Sequence, residues 1–252
     1  MDDDASQLSD VSGTPSNAPW HRFTTARPTD AGRASAVVYG TDIPSEADLR
    51  LLGSVEGKRV LDLGCGIGHN AVLLAQQGAK VIGVDPDARH LAVARERSEA
   101  AEVKVELHQS ALADLPFLRS DSVDAAVSVM ALASVEDVAR VFRQVHRVLK
   151  PEAPLVASFP HPAFAMFDPD DDDATRAVRA YDQSEPIRWD DDGVTVADHP
   201  RTISEIFTTL HRASFYVDQI LEPIGSGSGR GSVDLMRSVP ATLLVRARKQ
   251  GN

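Results

Sequence analysis

The sequence predicts an α/β protein built on a doubly wound, mostly parallel seven-stranded sheet with an antiparallel last strand, a Rossmann-like arrangement. Three observations carry this reading. From residue 44 to 160 strand and helix signals alternate, the rhythm of successive βαβ units. The strand segments are near-continuous apolar runs rather than alternating ones, as expected of strands covered by helices on both faces. Two late strand signals, Phe215–Leu221 and Ala241–Val245, have no helix between them, so they are expected to pair antiparallel at the sheet's edge.

The elements follow in order. Pro44-Ser45-Glu46-Ala47-Asp48-Leu49 starts a helix that Ser45 could cap, with Leu49, Leu51 and Leu52 on its apolar side. After the Gly57-Lys58 turn, Arg59–Leu63 is a short strand that runs into glycines, and Asn70–Gln77 is a helix buried through Val72, Leu73 and Leu74. Lys80–Val84 is the second strand, and Asp87–Ala100 is a helix carrying Leu91, Ala92 and Ala94. Val103–Leu107 and Val123–Val129 are the third and fourth strands. Residues 135–149 form the clearest helix, with Val135, Val138, Val141, Phe142, Val145, Val148 and Leu149 recurring at three- and four-residue steps before Pro151. Leu155–Phe159 is the fifth strand. The rhythm breaks over residues 160–201, too long for a simple connection, and resumes with a helix at Ile203–Arg212 whose Ile206, Phe207 and Leu210 share one side. Gly225-Ser226-Gly227-Ser228-Gly229 links the last two strands.

A length of 252 residues suits one such domain, read as residues 21–252 with 160–201 as a lid-like insertion, preceded by a disordered acidic tail at 1–20. Lys+Arg 26 against Asp+Glu 37 gives a net charge of −11. Residues 1–20 hold four acids and no base, and residues 168–192 hold ten acids against three arginines, so these two stretches account for the whole excess. No basic stripe remains to follow a nucleic-acid backbone or an anionic membrane. No run of 18–20 apolar residues offers a membrane span, and the Met1-Asp2-Asp3-Asp4 start is unlike a signal peptide. Cys65 is the single cysteine, which excludes an internal disulfide and a cysteine-based zinc site and suits a reducing cytoplasm. No metal is expected: the Asp170–Asp173 run lacks the spaced His and carboxylate pattern of a transition-metal site.

The most informative stretch is Asp62-Leu63-Gly64-Cys65-Gly66-Ile67-Gly68-His69-Asn70, between the first strand and its helix. Glycines let a backbone turn tightly and approach a ligand, and the helix start offers unpaired N–H groups. Val84-Asp85-Pro86 then sets a carboxylate at the end of the neighbouring strand, where ribose hydroxyls are bound in doubly wound sheets. Loop and acid together indicate a nucleoside-containing cofactor. The Gly64-x-Gly66-x-Gly68 spacing departs from the dinucleotide pattern G-x-G-x-x-G, and no Tyr-x-x-x-Lys pair is present; both features disfavour a nicotinamide-dependent oxidoreductase. Cys65, wedged between glycines, reads as a small packing residue rather than a nucleophile.

Together, VLDLGCGIG, GVDPD, the Asp114-Leu115-Pro116-Phe117 turn, SVDAAVSV and Val145-His146-Arg147-Val148-Leu149-Lys150-Pro151 resemble the class I S-adenosylmethionine-dependent methyltransferases. The likeness is closest to the small-molecule branch typified by ubiquinone- and menaquinone-biosynthesis enzymes. The resemblance implies S-adenosylmethionine as cofactor and a small-molecule methyl acceptor. It implies that Gly64, Cys65 and Gly66 line the methionine part, with Asp62 on its ammonium. By the same resemblance Asp85 takes the ribose hydroxyls, Pro86, Ala111 and Leu112 border the adenine, and Val129 and Met130 lie near the cofactor. Three positions depart from the family: Ala111 where an Asp is frequent, Ser134 where a His is common, and Glu152-Ala153 in place of Gly-Gly.

Acceptor residues are expected over the C-terminal ends of the strands. His161, pinned between Pro160 and Pro162, is a candidate base or a histidine bonded to its own loop. His199 and Arg201 end the insertion, where Arg201 could bind an acceptor carboxylate or pair with nearby acids. Tyr39 lies in the segment that folds over the cofactor in similar enzymes, and ordinary packing is its other reading. Phe164, Met166, Phe167, Tyr181 and Trp189 are expected to wall an acceptor pocket beneath a lid whose acids face solvent.

Overall fold

The computed structural model describes residues 35–168, 172–191, 194–226 and 234–251. The acidic stretch at 1–20, Asp170 and Asp171, and Gly227 to Gly229 of the linker lie outside the described residues. The chain runs α1 (Glu46–Leu49), β1 (Arg59–Leu63), α2 (His69–Gln76), β2 (Lys80–Asp85), α3 (Ala88–Ala100), β3 (Val105–Gln109) and β4 (Ala125–Val129). A 3₁₀ turn at Ala131–Ser134 leads into α4 (Val138–Val148), β5 (Pro154–Pro160) and α5 (Pro162–Ala165). A hairpin of β6 (Ile187–Asp191) and β7 (Val194–Asp198) precedes α6 (Ile203–Arg212), β8 (Phe215–Leu221) and β9 (Thr242–Lys249). The seven-stranded sheet has the order β3-β2-β1-β4-β5-β9-β8. Only β9 runs antiparallel, inserted between β5 and β8. β6 and β7 form a separate two-stranded sheet.

Alternation along each strand sorts the core onto two faces. Leu61, Leu63, Leu155, Ala157 and Phe159 point to the side of α4 and α6, with Phe142, Val145, Ile206 and Leu210. Val60, Val156 and Leu244 point to the other side, against Val37, Tyr39, Leu51, Leu52 and the α2 residues Ala71 and Leu74. A charged pair closes the lower edge: Lys249, 3% exposed, donates to Asp121 (2.5 Å) and to the Leu149 carbonyl (2.9 Å). No helix among the described residues is long and apolar enough to cross a membrane.

Elements delimited by local chemistry fall where expected. Thr202 caps α6 with a reciprocal capping box to Glu205, and Ser45 does the same for α1 with Asp48. α1 is only four residues long, because Arg50 turns left-handed (φ 53°) and ends it; Leu51 and Leu52 are buried just beyond it. β3 begins two residues later than its apolar pattern suggests. Glu102 is left-handed and Val103 donates to Ser98, so the closing turn of α3 takes up Val103. α4 starts at Val138 rather than Val135, because Asp137 caps it by accepting from Arg140 N (2.9 Å).

Candidate active site

The loop after β1 folds back on β2: Gly64 N and Cys65 N both donate to the Val84 carbonyl (2.7 and 3.0 Å). Two glycines are required here for different reasons. Gly64 is left-handed (φ 76°), and a Cβ on it would collide with that of Ala131. Gly66 is also left-handed (φ 52°), but a Cβ there would meet nothing within 4 Å, so open space lies beside the loop. The Cys65 side chain turns onto β2, where its sulfur blocks any side chain at Gly83, and burial pushes its thiol far above the usual range. The thiol is packing, and only the Cys65 backbone belongs to the loop's rim.

Asp62 and Asp85 stand side by side at the ends of β1 and β2. Asp62 is 2% exposed and its Oδ2 has no hydrogen-bond partner among the described residues, a costly state for a carboxylate. Burial, with the charge of Asp85 beside it, pushes the Asp62 carboxyl up to about 7. An ammonium placed here would satisfy the orphaned oxygen and restore full ionisation. Asp85 is well engaged: Oδ2 accepts from Gly66 N (2.9 Å), while Oδ1 accepts from Asp87 N (2.9 Å) and lies 3.1 Å from Nδ1 of His90. The donor set fits a ligand with an ammonium and a polyol.

The rest of the rim comes from β2, β3 and β4. Pro86 and Ala111 are exposed and Leu112 is buried; one Leu112 methyl lies 3.5 Å from where a Gly64 Cβ would be. Val129 ends β4, and Met130 turns left-handed (φ 60°) with its N–H donating to Ser158 O (3.0 Å). The 3₁₀ turn that follows sets Ala131 against Gly64, while Ala133 helps wall a small hollow at the end of β5. That hollow is lined also by Phe159, Pro160, His199 and Ile206 and by the charged Asp198 and Arg201. One short turn thus separates the glycine loop from the hollow.

Several expected site residues prove to be scaffold. Tyr39 is fully buried in the core and donates to Glu46 (2.7 Å). Glu46 in turn accepts from the backbone of Leu51, Leu52 and Gly53; the expectation of a cofactor contact from this side chain is corrected to packing. His161 is 3% exposed. Its Nδ1 accepts from Ala163 N (3.1 Å) as the cap of α5, which leaves Nε2–H to donate to Glu222 (2.7 Å). Burial holds its imidazole below the usual range, with Glu222 opposing. With both nitrogens engaged, His161 is not placed as a general base. Arg201 donates to the carbonyls of Leu132 (3.2 Å), His199 (3.0 Å), Glu136 (3.0 Å) and Val135. It clamps the return of the insertion to the turn after β4, is not free for an acceptor carboxylate, and among the described residues makes no ion pair with the insertion's acids, though the charge of Asp198 supports its own. Ser134 shares this anchor, donating to buried Asp198 (2.9 Å).

Phe164 and Tyr181 of the insertion do not wall the hollow. Phe164 is fully buried in a separate small core with Met236 and Ala241, and Tyr181 is 40% exposed. The Trp189 side chain lies outside the described residues. His199 does reach the hollow; its backbone N–H donates to Ala133 O (2.8 Å), while its ring makes no hydrogen bond among the described residues. Burial and the nearby Arg201 keep that ring below the usual imidazole range, which favours its neutral form. Three residues missed by sequence reasoning support the site. Asn70 holds Val38 through two 3.0 Å bonds, Arg97 props the loop at the Ile67 carbonyl (3.0 Å), and His90 contacts Asp85. Only Asn70 had a signal, its place directly after the glycine motif; the other partners are remote in sequence or lie on an otherwise ordinary helix face.

The seven-stranded sheet, with its strand order and single antiparallel strand, has the fold of the class I S-adenosylmethionine-dependent methyltransferases. Residues 60–152 match the family described as a methyltransferase domain. The ubiquinone biosynthesis O-methyltransferase of Hahella chejuensis is 35% identical over 105 residues, 42% of this chain and 44% of that protein. Its counterpart in Sodalis glossinidius is 36% identical over 99 residues, 39% and 40% of the two chains. The likeness therefore spans less than half the length of these relatives. Among solved structures, an S-adenosylmethionine-dependent methyltransferase from Mesorhizobium loti superposes with a TM-score of 0.64 at 27% identity, over 87% of this chain and 100% of that one.

Proposed function

We propose that this protein transfers a methyl group from S-adenosylmethionine to a small-molecule acceptor by direct in-line displacement. The observation that carries the reading is the buried, unpartnered Asp62 oxygen beside a glycine loop and a second carboxylate. A site with those groups selects a ligand bearing both a cation and a ribose. S-adenosylmethionine, when bound, supplies a methyl already activated on sulfonium. Asp62 would hold its ammonium, Asp85 its ribose hydroxyls, the Gly64–Gly66 backbone its methionine chain, and Pro86, Ala111 and Leu112 its adenine. Val129 and Met130 would complete the wall toward the acceptor.

The acceptor is assigned to the side of the 3₁₀ turn where α6 and the insertion meet, and the small hollow there must widen to admit it. His199 is the one titratable ring there with hydrogen-bonding capacity to spare, and we assign it the acceptor's proton. Alignment and exclusion of water do the remaining work, and alignment can contribute about 7–11 kcal/mol in favourable intramolecular models. The relatives named for ubiquinone biosynthesis are O-methyltransferases, so an oxygen acceptor is the first class to test, in a cytoplasmic setting. The test is transfer of labelled methyl from S-adenosylmethionine to a panel of phenols, catechols and amines. Label on at least one acceptor, reduced by Asp85→Asn at subsaturating S-adenosylmethionine, supports the assignment; turnover with nicotinamide cofactors and none with S-adenosylmethionine overturns it.

A further inference from the structure

Asp85 has more partners than a ribose-binding carboxylate can keep. An ionised carboxylate offers about four acceptor positions. Three are taken: Gly66 N on Oδ2, and Asp87 N with His90 Nδ1 on Oδ1. A vicinal diol donates two hydrogen bonds, so one of the three must leave when it binds. The Gly66 and Asp87 donors are backbone groups fixed by the loop and by the start of α3. His90 is different, because its side chain is 42% exposed and can swing to water from the first turn of α3. We propose that His90 competes with the ribose diol for Asp85, so that nucleoside binding expels the imidazole and, with it, a proton.

The charges around the pair give the sign. Asp85 faces His90 from β2, Asp87 flanks it at the helix cap, and Arg89 sits on its own turn, itself paired with Asp87 at 2.7 Å. Behind Asp85 lies Asp62 on β1, and no other cation approaches the imidazole closely enough to affect it. The hydrogen bond and charge of Asp85 hold His90 above the usual imidazole range, and the neighbouring Asp87 adds to this. Expulsion removes that support, so the complex binds fewer protons than the ligand-free protein. Affinity then rises with pH from the ordinary imidazole value up to the raised one, and is flat outside that window.

This inference rests on Asp85 as the ribose-binding carboxylate, and the experiment separates the two. Calorimetric titration with S-adenosylhomocysteine, in buffers of different ionisation enthalpy from pH 6 to 8, is run on the wild type, His90→Ala and Asp85→Asn. The Asp62 carboxyl also releases a proton to solvent as the ligand's ammonium binds beside it, and that contribution is common to the wild type and His90→Ala. The expected result is greater proton release from the wild type than from His90→Ala. It is accompanied by binding to His90→Ala at pH 6 that is tighter by about fivefold or more, the lower end of ordinary coupling between binding events. Weaker or unchanged binding by His90→Ala, or equal proton release, would overturn the competition. Undiminished binding by Asp85→Asn would instead overturn the ribose assignment.

Discussion

The ends of β1 and β2 and the ends of β4 and β5 treat their conspicuous polar groups differently. At the ends of β1 and β2 a buried carboxylate oxygen of Asp62 is left without a partner and open space lies beside Gly66. At the ends of β4 and β5 the conspicuous side chains are satisfied by the chain itself: Arg201 on four carbonyls, His161 on Ala163 and Glu222, Ser134 on Asp198. At the ends of β1 and β2 the unsatisfied carboxylate oxygen of Asp62 marks a place for a charged ligand, since leaving it unmet costs stability. Satisfied polarity marks scaffold. The first pair of strand ends is built to recognise a particular ligand by charge, and the second to hold a shape in which His199 alone has a ring to offer.

The largest effect should come from Asp62→Asn. Removing one partner of a buried charge pair costs about 3–5 kcal/mol, so S-adenosylmethionine affinity should fall by about two orders of magnitude or more by calorimetry. The ligand-free variant should move the other way. The Asp62 carboxyl titrates at about 7 in the folded protein against an ordinary 3.8, so between those values the folded state holds more protons than the unfolded one. Stability from this group is full below the ordinary value and is lost as pH rises toward 7. Asp62→Asn should flatten that slope in denaturant titrations and be the more stable protein at pH 8. A variant that binds normally, or that keeps the slope, would remove the contrast between the two pairs of strand ends.

Next in size is Arg201→Met, which removes the clamp on four carbonyls while keeping some aliphatic packing. A loss of about 2–4 kcal/mol is expected, in the upper range for a broken buried network. It should be seen as a lower urea midpoint. A normal midpoint with a raised KM would return Arg201 to acceptor binding. Smallest is His161→Ala: loss of a helix cap costs about 0.5–2 kcal/mol, and turnover per folded molecule should hold. A fall in kcat of about 10²–10⁴-fold, the size of a lost general base, would contradict its role as a cap.

The same contrast explains what was legible beforehand. β1, α6 and β8 lie where their residues place them, because apolar runs and the Thr202–Glu205 box are local signals. The glycine loop with Asp62 and Asp85 was readable for the same reason, as a motif one strand apart from its acid. The shift of β3 and the late start of α4 came from turn and cap geometry that overrode apolar periodicity at Val103 and Val135. His161, Arg201 and Tyr39 drew attention by residue type, yet their roles depend on partners that no spacing announces. Glu222 lies 61 residues from His161, and the carbonyl of Val135 lies 66 residues from Arg201. Tyr39 finds Glu46 only seven residues on, but across a bend with no periodic signature. His90 went unnoticed because its importance lies wholly in touching Asp85.

The most direct test of the central claim is calorimetric titration of the purified protein with S-adenosylmethionine, S-adenosylhomocysteine and NADH, repeated on Asp85→Asn. The account predicts saturable binding of the first two, none of NADH, and a loss of about tenfold or more on substitution, since a hydrogen bond to a charged group is worth about 1.5–3 kcal/mol. Binding of NADH in place of the two sulfur ligands, or sulfur-ligand binding indifferent to Asp85→Asn, would contradict it.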